Sequence, residues 1–180
     1  MNIEMIKVTI DTIDEIANDF GEIGFLAWQM AYKGIVPDSI LINNTAQKRA
    51  DKLRNIFPAR LEEYYLCKAD NTSVGYAVIG PPQDDGLPAD VGEIHSIYFL
   101  PHAWGHGYAT QAMTFCLSRL AALGYTTIIL WVFEDNRRAR RFYEKHGFQF
   151  TGQRKELIID KPVYEICYSL DLSAINSGNS

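Results

Sequence analysis

The stretch "YTTIILWVF", Tyr125 to Phe133, constrains the fold more than any other part of the chain. A strand with one face in water alternates apolar and polar residues, and this one is apolar at both parities. It is therefore expected at the centre of a sheet, covered on both faces. Its flanks agree. Before it, Ala109, Ala112, Met113, Cys116, Leu117 and Leu120 lie on one helical face, and Gly124 marks the stop. After it, "RRARRFYEKHG" reads as a second helix, ended by Gly147.

The rest of the chain supplies more strands and one long amphipathic segment. A strand near Ile3 to Thr9 precedes "TIDE", where Thr12 and Glu15 have capping-box spacing. Ile13, Ile16, Ala17, Phe20, Ile23, Ala27, Met30 and Ala31 then recur at helical spacing, with Gly21 and Gly24 expected to bend or break the helix. Gly34 and Pro37 punctuate the chain, and a further helix is expected from Thr45 to Phe57. "EYYLCKA" and "VGYAVIG", joined by "DNTS", form a hairpin; "PPQDDGLPAD" is a polar loop expected to be mobile; "EIHSIYFL" is the next strand. Strands around Phe148 to Arg154 and Val163 to Leu170 complete the pattern. Residues 1–172 read as one domain, and the polar end 173–180 as a disordered tail.

Charge and cysteines narrow the function classes. The formal net charge of −5 argues against nucleic acid as a partner, since phosphate binding needs a basic face. Cys67, Cys116 and Cys167 are odd in number and far apart, so neither a disulfide framework nor a zinc site is expected; each reads as a core residue. "MNIEMIKVTI" lacks a long apolar run or cleavage site and no stretch is long enough to span a membrane, so the cytoplasm is the expected compartment.

Two glycines, Gly105 and Gly107, stand in "LPHAWGHGYATQAM" where a strand leads into a helix. Glycine admits positive φ and close approach of a ligand, and a helix start offers N–H groups that suit a phosphate. A tight turn without a ligand would use the same residues. A Walker loop is excluded because "GHGYAT" has no lysine. A dinucleotide fingerprint fits poorly, with Thr110 in the third glycine's place and no acid between Gly105 and Glu134.

At these residues the chain resembles the GNAT family of acyl-CoA N-acyltransferases. "WGHGYA", Trp104 to Ala109, is similar to that family's Gln/Arg-x-x-Gly-x-Gly/Ala, departing from it at Trp104. "NRRARRFYEKHGF" is similar to its Asn-x-x-Ala-x-x-Phe-Tyr-x-x-x-Gly-Phe block. The resemblance implies an α+β fold of three layers. Its mixed, largely antiparallel sheet of about seven strands would be flanked by helices and splayed at the fourth strand to bind acyl-CoA. It implies that Trp104, Gly105, His106, Gly107, Tyr108, Ala109 and Thr110 wrap the pyrophosphate. Ile97, Tyr98 and Phe99 would present the splayed strand to the pantetheine arm, an extended diamide that pairs like an added strand. The Phe99 N–H would polarise the thioester carbonyl.

The implied chemistry is direct acetyl transfer from acetyl-CoA to a primary amine, without a covalent enzyme intermediate and without a metal. Tyr143 takes the place of the proton donor to the departing thiolate, and Asn136 a cofactor contact that is also a helix N-cap. Glu93 is the candidate general base, with His95 as the alternative. Among Arg137, Arg138, Arg140 and Arg141, a solvated helix face, Arg140 is the one expected at the ribose phosphate. "AWQMAYKGIVPDSIL" resembles an acceptor-side segment of bacterial family members, so Trp28 and Tyr32 either line the acceptor site or pack helices. A small amine, a polyamine and a peptide amine all stay open as acceptors, as does a homodimer. The rival readings are an inactive acyl-CoA sensor of the same fold and a Rossmann-type oxidoreductase.

Overall fold

The apolar strand Thr127–Phe133 lies inside a seven-stranded sheet in the computed structural model of the protein, which describes residues 2–173. The expected tail 174–180 lies outside the described residues. In chain order the elements are β1 (Glu4–Lys7), α1 (Ile13–Tyr32), α2 (Asp38–Asn43), α3 (Ala46–Ile56), β2 (Glu63–Ala69) and β3 (Thr72–Gly80). There follow β4 (Val91–Phe99), α4 (Tyr108–Ala122), β5 (Thr127–Phe133), α5 (Arg137–Lys145), β6 (Gln149–Ile159) and β7 (Lys161–Asp171). The sheet order is β1-β2-β3-β4-β5-β7-β6. Every pairing is antiparallel except β4 with β5.

Both faces of β5 are covered, as its composition demands. Ile128, Leu130 and Val132 enter a core with Met113, Cys116 and Leu120 of α4 and with Ile166, Tyr168 and Leu170 of β7, against which α5 also packs. On the strand's other face Ile129 and Phe133 are buried, Phe133 against Tyr32 of α1. Further along that face of the sheet, Tyr64, Leu66, Tyr76 and Val78 of β2 and β3 meet Phe20 and Ile23 of α1 and Leu53 of α3. Each such side chain contributes about 1.5–3 kcal/mol by leaving water. Cys67, Cys116 and Cys167 are free and buried, each in an apolar setting.

Several local expectations need correcting. Thr12 does precede α1, but its hydroxyl accepts from the Thr9 N–H and makes no cap bond into the helix. Helix α1 runs unbroken through Gly21 and Gly24, whose role is close approach. A Cβ on Gly21 would lie 2.3 Å from the Ala46 carbonyl oxygen, so the missing side chain lets α3 pack directly on α1. The short α2 was not anticipated; its Leu41 joins Tyr32, Val36, Phe133 and Val163 in a small core. Strands β6 and β7 run further than expected because Asp160, at φ 59°, makes their turn without a glycine. Among the described residues no helix is long and apolar enough to cross a membrane.

Candidate active site

Strands β4 and β5 pair only from Val91↔Thr127 to Glu93↔Ile129 and then separate. A β-bulge drives this. On the β3 side, Val78 pairs with Ser96 but Ile79 with Ile94, so His95 is an extra residue in β4. A bulge bends and twists its strand, re-aiming side chains and ending pairing. It also breaks alternation: Ile94 and Ile97, an odd spacing apart, both pack on the α4 core.

The edge so exposed has a definite hydrogen-bonding phase. The Leu100 N–H donates to Val74 O of β3 at 2.9 Å. In an antiparallel ladder alternate residues face the same neighbour, so Tyr98 and Ser96 also face β3. Ile97 and Phe99 therefore aim their N–H groups into the gap that β5 has left. Tyr98 is the exception among the three strand residues assigned to acyl-CoA. Its backbone belongs to the β3 ladder, and its ring lies towards α1, where its hydroxyl meets that of Tyr32 at 2.7 Å. The Phe99 carbonyl is already engaged by the Trp104 indole N–H at 2.9 Å.

Beyond the strand, Gly105 and Gly107 both take positive φ, 82° and 77°, with open space where a side chain would project. That answers why glycine is needed twice: the left-handed backbone turns the chain into α4, with Gly107 as N-cap. The first intrahelical bond runs from Gln111 N–H to Gly107 O, so the Ala109 and Thr110 N–H groups have no carbonyl a turn behind them. Gly105, His106, Gly107 and Thr110 are exposed, Ala109 is half-buried, and the Tyr108 side chain is buried beneath the turn with the exposed His106 ring stacked on it. The cradle is thus backbone, floored by an aromatic.

Helix α5 borders the other end of the gap. Asn136 caps it, its side-chain oxygen accepting from the Ala139 N–H at 3.1 Å. Arg138 stacks its guanidinium 3.3 Å over the Trp104 ring, which brings a cation beside the cradle. Arg140 does not go there. It donates to Tyr168 Oη at 3.2 Å and to Glu134 O at 2.9 Å, because positions two apart on a helix point to opposite sides. The structure thus sets Arg138, and not Arg140, beside the two-glycine turn.

Tyr143 is half-buried against the α4–α5 core, and burial pushes its hydroxyl from 10 up to about 12. It acts electrostatically on Tyr32 and Tyr98, whose hydroxyls burial also pushes up. Tyr32 is buried, while Trp28 packs edge-on against it and under Arg49. Glu93 is only 5% exposed, so it is no strand-end surface carboxylate. Its Oε2 accepts from the Gln83 N–H at 2.9 Å, and its Oε1 lies 3.3 Å from His95 Nδ1. His95 Nε2 lies 3.0 Å from Pro81 O, which assigns a hydrogen to that nitrogen. Its Nδ1 makes no hydrogen bond and faces the carboxylate, so this pair has room for one more proton. Among the described residues no group of three or more His, Cys, Asp or Glu is placed to hold a metal ion.

The acetyltransferase (GNAT) family model matches residues 27–148, from the second half of α1 to the end of α5, and includes both motif blocks. The chain belongs to the GNAT family. An uncharacterised N-acetyltransferase of Mycobacterium tuberculosis is 34% identical over 108 residues, which cover 56% of this chain and 66% of that protein. A mycothiol acetyltransferase of Brachybacterium faecium is 32% identical over 96 residues, 53% of this chain but 29% of its own length. The chain thus spans under two thirds of these relatives.

Solved structures extend the likeness to the whole GNAT fold. The PaiA N-acetyltransferase of Thermoplasma acidophilum, determined in complex with coenzyme A, superposes with a TM-score of 0.73 at 18% identity, covering 95% of this chain and 99% of that one. Mutant forms of the spermidine/spermine N-acetyltransferase SpeG of Vibrio cholerae give 0.67 at 15% identity, covering 99% and 100%. Within this GNAT domain the departure at Trp104 acquires a structural role. Its indole clips the end of β4 through the Phe99 carbonyl and presents a face to Arg138.

Proposed function

We propose that the protein transfers an acetyl group from acetyl-CoA to a primary amine by direct attack. The observation that carries this reading is the open β4 edge leading into the two-glycine helix start, with Tyr143 packed against the same core as Ile97 of that edge. The pyrophosphate binds the N–H groups from Gly105 to Thr110, helped by Arg138. The pantetheine amides pair with the Ile97 and Phe99 edge, and the Phe99 N–H polarises the thioester carbonyl. The SpeG neighbour, whose name is that of an enzyme acting on spermidine and spermine, supports an amine as acceptor.

Three proton steps must then balance. An ammonium cannot attack, so one proton leaves it for the Glu93–His95 pair, which holds it between Oε1 and Nδ1. The amine nitrogen forms its bond to the thioester carbon, the C–S bond breaks with its electrons on sulfur, and Tyr143 gives that sulfur a proton. The attacking nitrogen, now carrying two hydrogens, releases one to water and keeps the other as the amide N–H; the Glu93–His95 pair returns its proton to solvent, and Tyr143 is reprotonated from solvent. A thiol-release assay over a panel of amines tests this reading, with mass spectrometry of the products. Amine-dependent release of CoA and a product heavier by one acetyl group are expected; acetyl-CoA that binds but is never consumed with any amine would overturn it.

A further inference from the structure

Beside the tyrosines, the α1 face of the sheet carries a half-buried carboxylate that the chemistry above does not use. Glu165 stands in β7 opposite Phe133 of β5 and Lys155 of β6, and cross-strand partners share a face. Phe133 packs on Tyr32, so Glu165 lies on the side of the sheet where Tyr32 and Tyr98 meet. It is half-buried and makes no hydrogen bond or ion pair with any described residue. Glu93 stands opposite Ile129, four residues before Phe133 in β5, so the two carboxylates share this face, and Glu165 interacts electrostatically with Glu93, Asp84, Lys155 and Tyr32. A carboxylate taken from water without a partner is costly, and burial raises its proton affinity.

The wall beside it already binds an alkylammonium. Lys155 sets its Nζ 3.8 Å above the Trp131 ring and 2.5 and 2.6 Å from the two Asp84 oxygens. The Trp131 indole nitrogen is itself buried without a hydrogen bond, as is Nδ1 of His95, whose side chain is 8% exposed. The Lys155 ammonium thus pairs with Asp84 and interacts electrostatically with Glu165. Asp84 takes up its charge and His95 faces Glu93, which leaves Glu165 unmatched.

Building on the acetyl transfer argued above, we propose that Glu165 is a specificity-determining residue that binds a second ammonium group of the acceptor. The acceptor is then an α,ω-diamine or polyamine. One ammonium group gives up its proton near Glu93 and attacks, and the other stays charged against Glu165, where the aromatic wall of Trp131 also favours a cation. Lys155 is the intramolecular competitor for that field. The two residues therefore have opposite expected effects.

The test compares putrescine with n-butylamine, which share a carbon chain and differ in the second charge. Glu165→Gln, an isosteric change, should raise KM for putrescine about tenfold and that for n-butylamine by less than about twofold. Lys155→Met should lower KM for putrescine. Calorimetric titration of putrescine into the CoA-bound protein should show the same two shifts in Kd, so it scores Glu165 whether or not turnover occurs. Unchanged acetyl-CoA affinity certifies that each variant is folded. Equal effects on both amines, or shifts of the same sign in both variants, would overturn the assignment. Putrescine that binds through Glu165 yet is never acetylated would instead overturn the acetyl-transfer reading and leave a diamine-binding site.

Discussion

Tyr143→Phe removes one oxygen and little else, which makes it the sharpest probe of the leaving-group step. In water a phenol near pKa 10 is a weaker acid than a thiol near 8.5, so the transfer to sulfur is uphill by about 1.5 units, or about 2 kcal/mol. Burial changes both partners. It pushes Tyr143 up to about 12. A thiolate leaving inside the gap is desolvated alongside the tyrosine, which raises its own proton affinity and offsets part of that difference. Loss of a positioned acid typically costs 10² to 10⁴ in rate, about 3–5 kcal/mol in barrier. The hydroxyl makes no hydrogen bond with a described residue, so the fold should keep its melting temperature within about 2 °C. Steady-state kinetics with acetyl-CoA should show kcat falling at least a hundredfold with KM for acetyl-CoA little changed. The raised value also means that Tyr143 holds its proton through pH 10, so no alkaline loss of wild-type kcat below that pH comes from its ionisation. A variant whose kcat stays within about threefold of wild type would refute the role.

Three further outcomes follow from the same geometry. Gly107→Val places a β-branched residue at φ 77° and puts methyls over the cradle, so calorimetry should show CoA affinity falling at least tenfold. Arg138→Ala should weaken CoA binding several-fold while Arg140→Ala leaves it near wild type and lowers thermal stability instead; the reverse order would return the cofactor contact to Arg140. The Glu63 carboxylate ties α4 to the β1–β2 edge, held chiefly by a bidentate pair with Arg119 at 2.8 Å and also by Lys7 and Tyr65. These partners lower it from 4.5 to about 2. A depressed folded value stabilises above the unfolded one and is lost as pH falls, so about 1–2 kcal/mol, after screening, should vanish between pH 4.5 and 2. Glu63→Gln should remove that part of the acid transition in urea melts.

The layered architecture was legible because β5 is apolar on both faces, a pattern few folds accommodate. The turn into α4 was legible because two glycines at a helix start suit left-handed backbone, and both take positive φ. What stayed hidden depends on contacts that spacing does not encode. Gly21 reads as a helix breaker until α3 is seen packed on it. The bulge at His95 leaves no mark in "EIHSIYF", yet it re-aims Ile97 and opens the gap. The choice between Arg138 and Arg140 turned on which one met the Trp104 ring, a neighbour 34 positions away in sequence, reached only by folding. Glu165 gave no signal at all, because an acid in an alternating strand ordinarily faces water.

The central claim is that one molecule of acetyl-CoA lies with its pyrophosphate at the start of α4 and its thioester in the gap between β4 and β5. A crystal structure of the acetyl-CoA complex measures this directly. The account predicts phosphate oxygens within hydrogen-bond distance of the N–H groups from Gly105 to Thr110, pantetheine along Ile97 and Phe99, and the sulfur beside Tyr143. A cofactor bound anywhere outside that gap, or a thioester turned away from Tyr143, would contradict it.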